Sequence, residues 1–358
     1  MRKIVYLLLA VVLLTAVDHD VYGQMNRRSI KKNNKRIGNY KGKKSGFDKN
    51  KVYNAVGISI NALNYYGDLA PGAGALSSDL GQTRPAIGVS FVHRFGPRYQ
   101  LVGSFTYGGI RGSDHEAADP GDESGIFRYN RNLSFRNRIK ELSAVGQVDL
   151  FENQSTYISR VKWTPYLYAG VAVFHHNPQA EAPEFDAAGN PTGKKGEWVA
   201  LQPLGTEGQN ADLLSTDVNY GVEPYKLIQF AIPFGLGVRF RANEVIDISI
   251  EYGMRYTFTD YLDDVSGNYV DLGVFGTDAL ARAMSYRSNE VATPNRTYVG
   301  RDGVTYNVLS GYGEENGGVG GNDPGNVRGN SSNKDIYMVT TIRATYILGK
   351  TFHRAKFR

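Results

Sequence analysis

The chain has 358 residues, 41% hydrophobic and 21% charged, with 42 glycines, 24 tyrosines, 16 phenylalanines and no cysteine. This composition suits sheet and turns rather than long helices, and the missing thiol excludes disulfides, thiolate metal sites, cysteine nucleophiles and a lipid carried on an N-terminal cysteine. The formal charge of +6 belongs to one segment: residues 24–51 carry +10, residues 1–23 are neutral and the 307 that follow carry −4.

In chain order, residues 1–23 hold two basic residues and an apolar run from Ile4 to about Val17. The run is short for a membrane helix and reads as a signal peptide cleaved before Gln24, with an anchor helix as the alternative. Residues 24–51 form a basic tail. Residues 52–64 then set Val52, Val56, Ile58, Ile60 and Ala62 against Gly57, Ser59 and Asn61. Residues 85–93 and 99–107 repeat the alternation around FGPR, as in a tight hairpin. Residues 138–150 follow a polar stretch, and 162–174 is the least clear run, with aromatics on both faces and Pro165 near one end. After the insertion 176–227 come 228–240, the turn RANE, and 244–258, where Ile246, Ile248, Ile250, Tyr252, Met254, Tyr256 and Phe258 alternate with Asp247, Glu251 and Arg255. A second insertion, 259–334, precedes the last run, 335–348.

Eight alternating runs with long connections on one side and short turns on the other predict an all-β fold: an eight-stranded antiparallel transmembrane β-barrel spanning 52–349, with long extracellular loops and short periplasmic turns. A soluble β-sandwich has the same period but buries its apolar faces. Two features favour lipid: the polar faces are rich in small residues (Gly57, Ser59, Gly88, Ser90, Gly235, Gly237, Ser249), which suits a crowded interior, and the apolar faces end in aromatics such as Tyr107, Tyr256, Phe258 and Tyr346. Asp247, Glu251 and Arg255 then point inward, with Glu141, Arg239 and Arg343 as candidate partners, because an unpaired charge in such an interior is costly. An interior closed by its own side chains is expected, with a polar ion path as the alternative.

Site-like residues are sparse. Asp260, Asp263 and Asp264 offer oxygen ligands for calcium but match no EF-hand spacing, so a solvated acidic loop with Asx turns is the expectation and neither metal nor cofactor is assigned. His175 or His176 with Asp260 could be imagined as a catalytic rim, yet no spacing demands it, and the expectation is a non-enzymatic protein. Arg27, Arg28, Lys31, Lys32, Lys35, Arg36, Lys41, Lys43 and Lys44, with Arg354, Lys356 and Arg358 in the tail 350–358, would lie on the periplasmic side with both termini. There they could hold an acidic protein surface, lipid phosphates or cell-wall material. Nucleic acid is not an expected partner.

Three stretches carry a resemblance: NALNYYGDLAP, GMRYTFTDYLDDVSGNY and SNKDIYMVTTIRATYIL. They resemble a Bacteroidota family of outer-membrane barrels that includes the PorG component of the type IX secretion machinery, over about residues 52–350. Tyr66, Gly67, Asp68 and Leu69 match its first motif, and Thr259, Asp260, Tyr261, Asp263 and Asp264 its second. The resemblance implies a non-catalytic outer-membrane subunit that docks a periplasmic ring lipoprotein or other secretion-system subunits, and gliding motility in some relatives. The insertions 176–227 and 259–334 depart from that family's compact pattern. A surface adhesin or binding barrel, and an outer-membrane lipid-modifying enzyme or protease, are the alternatives.

Overall fold

Alternation becomes strand throughout the computed structural model, which describes residues 52–70, 81–153, 160–310 and 327–348. In chain order these are β1 (Tyr53–Tyr66), β2 (Arg84–Arg94), β3 (Tyr99–Ser113), β4 (Ser134–Asp149), β5 (Trp163–His175), β6 (Pro178–Glu181), β7 (Trp198–Ala200), β8 (Ile228–Arg241), β9 (Ile246–Thr257), β10 (Arg296–Val299), β11 (Thr305–Val308) and β12 (Ile336–Leu348). β1–β5, β8, β9 and β12 correspond to the eight predicted runs. Each pairs antiparallel with its neighbour, and β12 pairs back with β1 from Asn54↔Leu348 to Tyr66↔Ile336, closing the sheet. Closure gives every barrel strand two neighbours, which is what hydrocarbon demands of a sheet.

The faces are those of a membrane barrel. Ile58, Ile60, Ile87, Val89, Leu142 and Val171 stand on the outside, each more than half exposed. Tyr107, Tyr256 and Phe258 edge this belt near the long connections, and Tyr99, Trp163, Phe240 and Tyr346 edge it near the short turns, as interface girdles do. Inside, tyrosines occupy the room that glycines leave. A Cβ on Gly237 would lie 2.7 Å from the Tyr166 ring, and one on Gly253 would collide with the Tyr168 hydroxyl. This resolves the ambiguous fifth run: Tyr166, Tyr168 and Phe174 point inward, while Trp163 and Leu167 point outward.

The pattern reverses along the strands. Toward the long connections β3 and β4 extend to Ser113 and back to Ser134, beyond the runs read from sequence. There the apolar residues face in. Leu63, Ile110, Phe135, Ile139, Phe174 and Val339 form a buried cluster with Leu69, Leu262 and Val265 from the loops. Within the belt the interior combines the predicted inward charges with a smaller apolar cluster of Ala55, Val92, Val102, Val145, Tyr166, Tyr168 and Ile347, and toward the long connections it becomes an apolar core that the polar-face pattern does not predict.

The described parts of the long connections are folded. Residues 114–133 form α1 (Asp114–Ala117) and α2 (Glu123–Arg131). The insertion 176–227 carries the β6–β7 hairpin, paired to β4 at Arg136↔Gln179. The insertion before β12 holds α3 (Ala279–Ser285) and the β10–β11 hairpin. Two further clusters join them: Ala187, Tyr269, Leu272, Tyr286, Tyr306 and Val308 in one, Ala180, Ala182, Val199, Leu201 and Met284 in the other.

Candidate functional site: the cap at the long-loop mouth

All six charges placed inside the barrel are buried. Arg255 Nε donates to Glu141 at 3.1 Å, and Arg343 to Glu251 at 2.9 Å. The remaining pairing differs from the expectation: Arg239 bonds Asp149 at 3.2 Å, not Asp247, and Asp247 is taken by Arg160 at 2.6 Å. Arg94 also reaches Asp149, at 2.7 Å. Arg94 and Arg160 went unnoticed in the sequence because they stand at strand ends and turns, outside the alternating runs. Two internal voids beside these residues measure about 10 Å³ each, room for a single water at most. Around these ion pairs the belt interior is densely filled.

Above it, the motif residues meet. β1, β12 and β9 are adjacent, so the antiparallel order brings YYGDL, SNKD and TDYLDDVS to one side of the mouth. The Tyr65 hydroxyl lies 2.6 Å from Asp263 Oδ2 and 2.7 Å from Asp335 Oδ1. The Leu262 amide donates to Asp335 Oδ2, and the Asp335 amide to the Thr259 carbonyl. Gly67 is required here, because a Cβ would overlap both the Asp335 carboxylate and the Tyr65 hydroxyl. Gly67→Ala should therefore loosen the junction by about 1–3 kcal/mol. Faster proteolysis of the loop after β9, with the barrel still folded on a heat-shift gel, is the expected readout.

Two buried arginines extend the network. Arg131 bonds Asp114 through Nε at 2.7 Å and donates to the Asp68 and Arg328 carbonyls. Arg328 pairs with Glu207 at 2.8 Å and donates to the Asp264 carbonyl. Asp264 adopts a left-handed backbone, φ 70°, and its carboxylate accepts from Thr206 and Tyr225. Burial pushes Asp260 and Asp264 up to about 6 and raises Asp263 and Asp335 as well.

These facts correct two expectations. Asp260, Asp263 and Asp264 are buried, not solvated, although Asp263 does make an Asx turn to the Val265 amide. They also do not converge: Asp263 faces Tyr65 and Asp335, while Asp264 faces Thr206, Tyr225 and Arg328. Among the described residues no group of three or more acidic or histidine side chains is placed to hold a metal. Of the two histidines imagined at a catalytic rim, His175 stands at the end of β5 beside Lys140 and Ile228. His176 is fully buried, donates from Nε2 to the Lys226 carbonyl and stacks on Tyr225, and burial lowers it to about 4. Leu69, Thr259 and Tyr261 pack or bond within the same junction, Tyr261 stacked on Tyr225 at 4.7 Å, whereas Tyr66 faces outward and meets Met338 on β12. The basic residues of 24–51 and 350–358, and the segment 1–23, lie outside the described residues.

Closed strand order, lipid-facing belt and packed interior together define an outer-membrane-type β-barrel. Residues 46–184 match a family model described as a domain of unknown function, DUF6089. No curated protein matches the chain. Similar solved structures include Ail, the attachment invasion locus protein of Yersinia pestis, in complex with the heparin analogue sucrose octasulfate, at 7% identity and TM-score 0.32, covering 83% of this chain and 99% of that one. Neisserial surface protein A is similar at 9% identity and TM-score 0.31, covering 82% and 96%. The outer membrane protein OprG of Pseudomonas aeruginosa is similar at 8% identity and TM-score 0.33, covering 83% and 97%. At these scores the architecture rests on the chain's own strand pairing.

Proposed function

We propose that this is a non-catalytic outer-membrane barrel whose working part is its folded cap, a binding surface presented outside the cell. The carrying observation is that the described parts of the long connections fold into a cap over the barrel mouth and leave large apolar side chains on its surface. Phe185, Leu214, Tyr220 and Val299 are each more than half exposed there. Large exposed apolar and aromatic groups of this kind are what a protein partner can bury. A sealed belt argues against a conducting role.

A second reading is a subunit of a type IX-like secretion machinery, docked from the periplasm. Its support is the +10 charge of residues 24–51, the basic end of the chain and the motif resemblance. One experiment separates the two. The chain has no cysteine, so single cysteines at Leu214 or Tyr220 report sidedness by labelling intact cells with an impermeant maleimide. A photo-crosslinker at those positions, or at Lys31 and Lys35, then reports the partner. Labelling of intact cells with crosslinks from the cap is the expected result. Crosslinks confined to the basic tail, abolished by neutralising Lys31, Lys32, Lys35 and Arg36, would replace the first reading with the second.

A further inference from the structure

Along most of the barrel, the outward positions nearest the long connections are apolar, aromatic or uncharged: Tyr66 on β1, Ile87 on β2, Ile228 and Phe230 on β8, Tyr256 on β9, Met338 and Thr340 on β12. On β4 the outward row reads Leu142, Lys140, Arg138, Arg136, with Arg111 opposite Arg136 on β3. Cross-strand neighbours of Lys140 are Tyr107 and His175. Arg111 is answered by Glu116, and Arg136 stacks on Trp198 and bonds Gln179. Arg138 and Lys140 are exposed, and among the described residues neither has an ion-pair partner.

Their height makes them a membrane feature. Uncharged outward positions run from Leu142 through Ala144, Gly146 and Val148 on β4 to Leu150 just past its end, nine residues, which is the length that crosses a hydrocarbon layer. Lys140 is the next outward residue, about 7 Å farther along the strand, where a lipid headgroup begins. A lipid-facing cation costs little at that depth and much below it. From Leu142, the next outward residue of β4, a shallow groove of about 630 Å³ leads across the outer wall over β3, β2 and β1 to Tyr346 on β12, with Phe105, Gly103, Val89 and Phe91 in its lining. Gly103 leaves it open, since a Cβ there would meet nothing within 4 Å.

We infer that Lys140 and Arg138, with the groove around Gly103, form a site for one anionic lipid of the surrounding leaflet, its phosphorylated headgroup on the two cations and an acyl chain in the groove. This rests on the membrane-barrel reading but not on which partner the cap binds. Charge complementarity selects the headgroup, and the continuity of cations with an apolar groove selects a lipid over a soluble anion.

The test uses the full-length barrel in detergent, with phosphorylated lipid A as probe and bound lipid counted by native mass spectrometry. Arg138→Gln with Lys140→Gln should weaken binding about tenfold, and Gly103→Leu should also weaken it. Lys194→Gln with Lys195→Gln, the same charge change on a loop, should leave it unchanged. Should the double variant fail the heat-shift test of folding, Lys140→Gln alone is measured. Equal losses in the ridge and loop variants, equal binding of dephosphorylated lipid A by the unaltered protein, or displacement of the lipid by inorganic phosphate at matched concentration would each overturn the site.

Discussion

Arg255→Met should destabilise the barrel by about 3–5 kcal/mol, because it strands a buried carboxylate. Glu141 is 2% exposed and has two partners: the Arg255 guanidinium at 3.1 Å and the Tyr337 hydroxyl, which donates at 2.6 Å. Without the arginine, Glu141 must stay charged with one hydrogen bond or take up a proton. Glu141→Gln with Arg255→Met removes both charges while keeping an acceptor for Tyr337, and should be less damaging than Arg255→Met alone. Urea unfolding in lipid vesicles, read by tryptophan emission, measures the cycle. If Arg255→Met costs under about 1 kcal/mol, or if the double variant is as unstable as the single, the ion pair does not hold the interior shut.

The same pair shows how far the sequence could be read. Period-two alternation marked eight strands because lipid contact imposes one requirement on every second residue. Glu141 with Arg255 and Glu251 with Arg343 could be guessed, since each of the four sits on the polar face of a marked run. Asp247 with Arg160 could not. Arg160 lies in a connector between β4 and β5 and reaches into the barrel from its end, so no periodicity points to it. The upper ends of β3 and β4 were hidden for another reason: above the membrane the inward residues turn apolar, as Ile110 and Phe135 do, and the alternation changes sense. The acidic motifs at the loop starts were conspicuous as a pattern, but their role needed the strand order. Only once β1, β12 and β9 are neighbours do Tyr65, Asp263 and Asp335 become a single junction, and an acidic run that reads as solvated becomes a buried one.

That junction should make the cap loosen as pH rises while the barrel stays folded. A hydroxyl has one proton, yet Tyr65 lies within 2.7 Å of two carboxylates. Among the described residues no lysine or arginine forms an ion pair with Asp263 or Asp335. The second short contact therefore needs a proton from one of the acids. Burial raises both above the ordinary 3.8; their mutual repulsion adds to it for Asp263, and the charges of Asp260 and Asp68 for Asp335. Burial also holds Asp260 and Asp264 near 6. Each group is more basic in the folded cap than in an open one, so the folded cap binds more protons and its stability is greatest below 3.8. That advantage fades as pH climbs through 6 and into the higher range of the pair. For Asp264 alone, the displacement from 3.8 to about 6 corresponds to on the order of 3 kcal/mol. Protection factors of the Leu262 and Val265 amides, which donate to Asp335 and Asp263, should fall between pH 4 and 8. Asp263→Asn keeps an acceptor for the Val265 amide without a titrating group, and should flatten that fall. Protection that is level across the range in the unaltered protein, or an unchanged slope in Asp263→Asn, would mean that the two acids share no proton.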